Sequence, residues 1–221
     1  MSEHIVKVIS TSYINHQVKL FQLEKPKGFV FQPGQASYLS INQPDWLGVK
    51  RPFTMTSLNV WEHLEFIVKI YENHDGMTKA MGKLHPGDEM IVREAQGGIP
   101  FRGNGVFIAG GTGVTPFISI LRQLKVDNKL AGNLLICSNM TQEDLILGEE
   151  LSTMLGENFV NVFTREQVIG YVDRRINKDF LKDVVGNFDQ QFYVCGPSDF
   201  VRDIGKLLLD LGASAEAVVI D

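Results

Sequence analysis

A chain of 221 residues, 44% of them hydrophobic and 21% charged, is long enough for two modest cores or one large one, because domains commonly run about 100–150 residues. Its formal charge of -5, with no basic tail, gives no electrostatic reason to expect nucleic acid, whose phosphates call for excess Lys and Arg. Two cysteines without a C-x-x-C pair exclude a thiolate-held zinc and a four-cysteine iron–sulfur cluster, and no apolar run is long enough to cross a bilayer.

The polar start, Met1-Ser2-Glu3-His4, carries no secretory pattern, so the cytoplasm is the expected location. His4 to Ser10 and Gln17 to Leu23 alternate apolar and polar residues, and Pro26, Gly28, Pro33 and Gly34 punctuate the chain. Further strands are expected at Ala36 to Ile41, Phe53 to Leu58, His63 to Tyr71 and Glu89 to Arg93. Short strands at this spacing predict an antiparallel barrel or sandwich, interrupted by one helix over Thr78 to Leu84 with Thr78 as its N-terminal cap.

The stretch Glu94 to Gly105 is rich in glycine and proline and reads as a boundary, giving domains 1–98 and 99–221. Beyond it strand and helix alternate. Val106 to Ala109 precedes a helix over Thr115 to Lys125, Leu134 to Ser138 one over Glu143 to Leu155, and Val160 to Phe163 one over Lys178 to Val185. Phe192 to Cys195 then leads into Asp199 to Leu211, with a final strand at Ala217 to Ile220. Such alternation implies a Rossmann-like parallel α/β sheet covered by helices.

Two turns of this second half stand at strand ends. In Gly110-Gly111-Thr112-Gly113-Val114-Thr115-Pro116, glycine lets backbone amides approach a diphosphate, and the helix that follows offers unpaired N–H groups. Pro116 suits the first helical turn. The spacing is neither that of a G-x-G-x-x-G fingerprint nor that of a Walker loop. Cys195-Gly196-Pro197 is the second turn, at the carboxyl end of a strand where open parallel sheets bind ligands. Taken alone, Cys195 reads equally as a small buried hydrophobe, and Cys137 reads as core.

Together with Arg51-Pro52-Phe53-Thr54 and Gly76-Met77-Thr78, these turns form an ordered set that resembles the ferredoxin–NADP(+) reductase family over nearly the whole chain. The resemblance implies an N-terminal antiparallel Greek-key barrel for FAD and a parallel domain for NADPH or NADH. It implies that Arg51 neutralises the FAD diphosphate, Phe53 packs on the flavin with Pro52 beside it, and Thr54 offers a hydroxyl near flavin N5. Arg51 as a surface charge beside a strand that buries Phe53 is the other reading. Gly76, Met77 and Thr78 would receive the FAD diphosphate, a role compatible with a helix cap. Lys69, Ile70 and Tyr71 fall where the family meets the adenylate side of FAD, although strand core accounts for them as well.

By the same resemblance Gly111, Thr112, Gly113 and Pro116 contact the nicotinamide nucleotide, Gly196 and Pro197 continue that site, and Cys195 lies close to the nicotinamide carbon that gives up hydride. Thr164-Arg165-Glu166 resembles the stretch that holds the 2′-phosphate of NADPH, which favours NADPH over NADH. Arg174 or Arg175 assists there or is a solvated charge. Members of the family often end in Glu-x-aromatic, whereas Glu216 to Asp221 has no aromatic ring; Asp221 is a candidate for assisting catalysis.

The expected activity is reduction of a bound flavin by NAD(P)H, then electron transfer to a separate acceptor: a flavodoxin or ferredoxin, an oxygenase component, or free flavin. Lys7, Lys19, Lys25, Lys27, Lys50 and Arg51 place positive charge in the barrel half, to steer an acidic redox protein or simply as scattered solvated charges. Two competing readings are a flavin-binding electron-transfer subunit of a larger complex, which usually keeps clustered cysteines, and a plain nucleotide-binding module, which leaves Arg51 to Thr54 unexplained.

Overall fold

The computed structural model describes residues 2–167 and 175–220. Six strands form in the first half: β1 (Glu3–Tyr13), β2 (Val18–Glu24), β3 (Ala36–Ile41), β4 (Arg51–Thr54), β5 (His63–Lys69) and β6 (Glu89–Arg93). They pair antiparallel in the order β4-β3-β6-β1-β2-β5, and an antiparallel bridge between Met55 and Phe66 brings the two ends of that order together into a nearly closed barrel. Period-2 alternation explains the packing. Along β1, Val6 and Val8 turn inward to meet Phe21, Leu23, Leu39, Phe66 and Val92, while Ile5, Lys7 and Ile9 face out.

Three expectations for this half change. The strand expected over Phe53 to Leu58 ends at Thr54, after which Met55 to Leu58 dive into the interior and Thr56 N donates to Glu65 O. Helix α1 (Met77–Gly82) has Gly76, not Thr78, at its cap position, and Thr78 is its second residue. Lys19 is buried rather than steering: its ammonium donates to Gly82 O at 2.8 Å and Leu84 O at 3.0 Å, holding the end of α1, and burial lowers its pKa.

The second half carries β7 (Gly105–Gly110), β8 (Leu134–Asn139), β9 (Phe159–Phe163), β10 (Gln191–Cys195) and β11 (Val218–Ile220), all parallel in the order β11-β10-β7-β8-β9. Every residue of β7 is buried, as a central strand covered on both faces demands. Helices α2 (Thr115–Val126) and α3 (Gly148–Leu155) cover one face, and α4 (Lys178–Val184) and α5 (Ser198–Asp210) the other. Helix α5 buries Val201, Ile204, Gly205 and Leu208, one stripe at helical spacing. The single helix expected over Glu143 to Leu155 is split, because Asp144 bonds back to Thr141 N and Oγ1 and closes a separate turn before α3.

Helix α2 is buried from Pro116 to Arg122 and again at Leu124. A helix buried on more than one face has neighbours on more than one side. Here one neighbour is the sheet and the other is the barrel, whose Val18 and Ile67 join the same apolar cluster as Val114, Phe117 and Leu121. The strand order reverses between β7 and β10, and a parallel sheet opens a crevice at that point.

Candidate active site

Strand β7 runs directly into the glycine turn, which makes one 3-10 turn over Gly111–Val114 before α2 begins with Pro116 in its first turn. Gly111 adopts φ +54, a backbone state L side chains rarely take, and nothing stands within 4 Å of a Cβ built there, so this part of the turn is uncrowded. Thr115 Oγ1 donates to Thr112 O at 3.0 Å and tightens the turn.

This turn floors a cavity of about 320 Å³ between the domains. The second domain contributes Gly110 at the end of β7 with Gly111 and Thr112 beyond it, Ser138 and Asn139 at the end of β8, Thr164 after β9, and Pro197 and Phe200 after β10. From the barrel come Asn15, Gln17 and Val18 of the β1–β2 hairpin, together with Lys69 and Tyr71. The hairpin touches the second domain directly: Asn15 Nδ2 donates to Asp144 O at 3.2 Å, and His16 Nε2 lies 3.6 Å from the Asp144 carboxylate.

A second cavity of about 240 Å³ lies beside the first. Pro52, Phe53, Thr54, Ile67, Val68, Lys69, Tyr71 and Thr78 line it from the barrel, and Thr112 and Thr115 from the second domain. Lys69, Tyr71 and Thr112 belong to both cavities, so the two spaces meet at the seam. The Lys69 ammonium sits 5.6 Å from the Tyr71 ring centroid, and Tyr71 is half exposed.

The structure therefore gathers Pro52, Phe53, Thr54, Lys69, Tyr71, Thr78, Gly111, Thr112, Thr164 and Pro197 around one seam. Others stand apart. Ile70 is core of the barrel, Met77 is buried there too, and Arg51 is exposed, donating to Lys50 O at 2.9 Å and lining neither cavity. Gly76 lines a separate hollow beside α1 with Asp75 and Lys79, which form an ion pair at 2.9 Å. Gly113 and Pro116 are buried under the turn, and Cys195 is half-buried against the core of the second domain. Arg165 is exposed, with its backbone N donating to Met140 O, and Arg175 lines a neighbouring cavity with Phe200 and Asp203. Arg174 and Asp221 lie outside the described residues.

Sequence reasoning missed Phe200, the Asn15–Gln17 hairpin and Ser138–Asn139. The position of Phe200, in the first turn of α5 just after the Cys195-Gly196-Pro197 turn, was the available signal for it; the hairpin carried none.

The residues present fit both groups that the motifs imply. For a nicotinamide nucleotide, the backbone of Gly110 to Thr112 lines the cavity at the point where the strand order reverses, with no neighbour crowding the Cβ position of Gly111. For a flavin, a planar ring finds the Phe53 ring and the Thr54 hydroxyl, which has no hydrogen-bond partner among the described residues. No atom stands within 4 Å of a Cβ on Gly76, which leaves the start of α1 approachable, and the Arg51 guanidinium has no carboxylate partner among the described residues.

Residues 5–101 match the oxidoreductase FAD-binding domain and residues 107–206 the oxidoreductase NAD-binding domain. A relative from Pyricularia oryzae, NADH-cytochrome b5 reductase 1, is 31% identical over 224 residues, covering 90% of this chain and 71% of the relative. The chain belongs to the ferredoxin–NADP(+) reductase family of flavoproteins. The chain is also 26% identical to NADH-cytochrome b5 reductase 2 of Xenopus laevis, over 69% of its own length and 62% of the relative's. It thus spans about three fifths of the length of several curated relatives. In fold it is similar to a ferredoxin NADP+ reductase from Neisseria gonorrhoeae with bound FAD and NADP, at a TM-score of 0.88 and 22% identity, covering 100% of this chain and 98% of that one. The cytochrome b5 reductase domain of Ulva prolifera nitrate reductase matches at 0.85 and 19% identity, covering 100% and 97%. The chain thus carries an FAD-binding and an NAD-binding oxidoreductase domain in tandem.

Proposed function

We propose that this reductase takes electrons from NADH or NADPH and delivers them to a separate one-electron carrier protein. The observation that carries this reading is the sharing of Lys69, Tyr71 and Thr112 by two adjoining cavities, one on the barrel strand and one over the glycine turn. Those shared residues would let two bound heterocycles approach each other, and FAD there would supply the chemistry that couples a hydride donor to a one-electron carrier.

The chain itself supplies binding, orientation and exclusion of water. Thr54 offers an unengaged hydroxyl to the flavin ring, and Phe53 and Tyr71 offer aromatic faces. Arg51 and the amides at the start of α1 answer the FAD diphosphate, while the amides of Gly111 to Gly113 answer that of the nucleotide. Cys195, at the end of β10, borders the approach of the nicotinamide.

For the acceptor, the names of the relatives favour a small haem protein of the cytochrome b5 type over the flavodoxin or ferredoxin expected from the motifs. For the donor, Glu166 stands next to Arg165 with its Oε2 accepting from Gln142 N at 2.6 Å, so the turn that was expected to hold a 2′-phosphate presents an anion as well as a cation. That favours NADH. Anaerobic stopped-flow mixing with NADH and NADPH, followed by reoxidation with cytochrome b5, ferredoxin, flavodoxin and free flavin, tests both assignments. A flavin band that neither nucleotide bleaches would overturn the reading, and reoxidation by ferredoxin alone would return the acceptor to the first expectation.

A further inference from the structure

A buried charge cluster crosses the domain seam away from both cavities. On α2, the Arg122 guanidinium grips Glu150 of α3 with two bonds, Nε to Oε1 at 2.6 Å and Nη2 to Oε2 at 2.8 Å. Its remaining arm, Nη1, reaches into the barrel and donates to Glu65 Oε1 and Thr56 O, both at 2.7 Å. The Trp61 ring lies 4.9 Å from the guanidinium carbon, and Thr56 Oγ1 donates to the same Glu65 oxygen at 2.8 Å. Burial alone would lower the Arg122 pKa; Glu150 and Glu65 outweigh it and the net shift is upward.

Replacing buried ion pairs by apolar groups is often neutral or stabilising, so cohesion is a poor account of this cluster. Direction is a better one. A planar fork with fixed acceptors on three elements admits one orientation of α2, whereas the apolar contacts of Val18 and Ile67 with that helix allow sliding. A second pin lies one turn nearer the glycine loop, where Gly34 N of the barrel donates to Ser119 Oγ at 3.0 Å.

Both elements that meet at Arg122 lead to the seam. Thr115 stands seven residues before Arg122 on α2, roughly 10 Å along the helix axis. Lys69 stands four residues after Glu65 on β5, roughly 13 Å along the strand. A tilt of about 5° about the cluster would move the glycine loop by about 1 Å, a misplacement of the size that costs about 100-fold in rate.

We infer that Arg122 and Glu65 are positioning residues that fix the glycine loop of α2 against β5, so that the nucleotide side of the seam is set before any ligand arrives. This rests on the proposed function for its kinetic consequence. The test compares the parent with the double variant Arg122→Met/Glu65→Gln, which removes both of the most deeply buried charges and leaves Glu150, whose side chain is 35% exposed, to solvent, and with Arg122→Lys, which keeps the charge and loses the fork. The control is Leu208→Ala, fully buried on α5 beneath the opposite face of the sheet. Each is made with Trp46→Phe, so that Trp61 is the one tryptophan left.

In the double variant, FAD content and the Kd for NAD+ are expected to stay within about threefold of the parent, while the saturated rate of flavin reduction by NADH falls at least about tenfold. Arg122→Lys falls between the two, and Leu208→Ala loses stability without slowing reduction. Iodide quenching of Trp61 in the full chain as purified is expected to rise at least about twofold when the guanidinium no longer covers the ring. The inference is overturned by a parental reduction rate in the double variant, by a full rate in Arg122→Lys, by equal slowing in Leu208→Ala, or by unchanged quenching. Failure of the parent itself to be reduced sinks the proposed function instead, and the quenching arm still decides the cluster.

Discussion

Gly113 and Cys195 stand backbone to backbone at the head of the parallel sheet: a Cβ on Gly113 would lie 2.2 Å from Cys195 O and 2.6 Å from Gly196 N. No flexible side chain is there to yield, so the glycine turn after β7 and the turn after β10 can close on one crevice only because this residue has no side chain. Gly113→Ala is expected to push the two turns apart, costing about 1–3 kcal/mol of stability through overpacking. It should raise the Kd for NAD+ at least about tenfold while FAD content stays normal, because Thr54 and Phe53 lie on the other side of the seam. Difference titration with NAD+ on the yellow protein measures both. Unchanged nucleotide affinity would mean that the two turns do not share a ligand.

The two cysteines are expected to behave differently. Complete burial pushes the Cys137 thiol up to about 12, whereas Cys195 is half-buried at a strand end. Alkylation with iodoacetamide at pH 8, read by mass spectrometry, should modify Cys195 alone, and NAD+ should slow it. The raised thiol pKa also has a stability consequence of fixed sign. The folded state keeps its proton where the unfolded thiol has lost it, so this contribution is present below the unfolded pKa and is lost as pH rises toward 12. Cys137→Ala should flatten the fall in stability between about pH 8.5 and 11 in urea titrations.

What the sequence disclosed and what it hid divide along physical lines. The turns at Gly110 to Pro116 and Cys195 to Pro197 were legible because a strand end, a glycine and a helix start are local in the chain, and the structure brings them to one crevice. Thr54, Phe53 and Thr78 were legible only as members of an ordered set. Lys19 was misread as a surface charge because nothing local shows that α1 ends above it. The bond between Arg122 and Glu65 joins residues 57 apart, and the Asn15–Gln17 hairpin reaches the cavity through a turn with no chemical signature. Such contacts depend on where whole elements land, which alternation and spacing do not encode.

Nucleotide choice is expected to turn on neighbouring residues of opposite charge. Arg165 and Glu166 follow Thr164, which lines the larger cavity, and the backbone bonds of Thr164 to Asn139 O and of Arg165 to Met140 O fix the turn that carries them. A 2′-phosphate brought there meets a guanidinium and a carboxylate together, so their effects oppose. Glu166→Gln should raise kcat/KM for NADPH by about tenfold and leave NADH within about twofold; Arg165→Ala should lower NADPH use alone. Steady-state rates with ferricyanide as acceptor give the four constants. If both variants shift NADH and NADPH equally, the turn does not see the 2′ position.

Phe200 was not singled out from sequence, and its geometry gives it a specific role. Its Cδ1 stands 3.0 Å from where a Cβ on Gly110 would lie and 2.9 Å from the corresponding point on Gly196, so the ring is wedged against the backbone of both turns. It also lines the larger cavity and the adjoining space of about 300 Å³ that contains Arg175. Phe200→Ala removes that wedge and merges the two spaces, and truncation of a large packed ring costs about 3–5 kcal/mol when fully buried, less for a half-buried one. The expected result is a KM for NADH raised at least about tenfold, with a smaller fall in kcat, because the ring shapes nucleotide binding and lies outside the flavin slot. Phe200→Leu refills part of the volume and should recover most of the thermal stability; recovering the KM as well would show that bulk suffices, whereas a KM that stays high would show that the nucleotide uses the aromatic face.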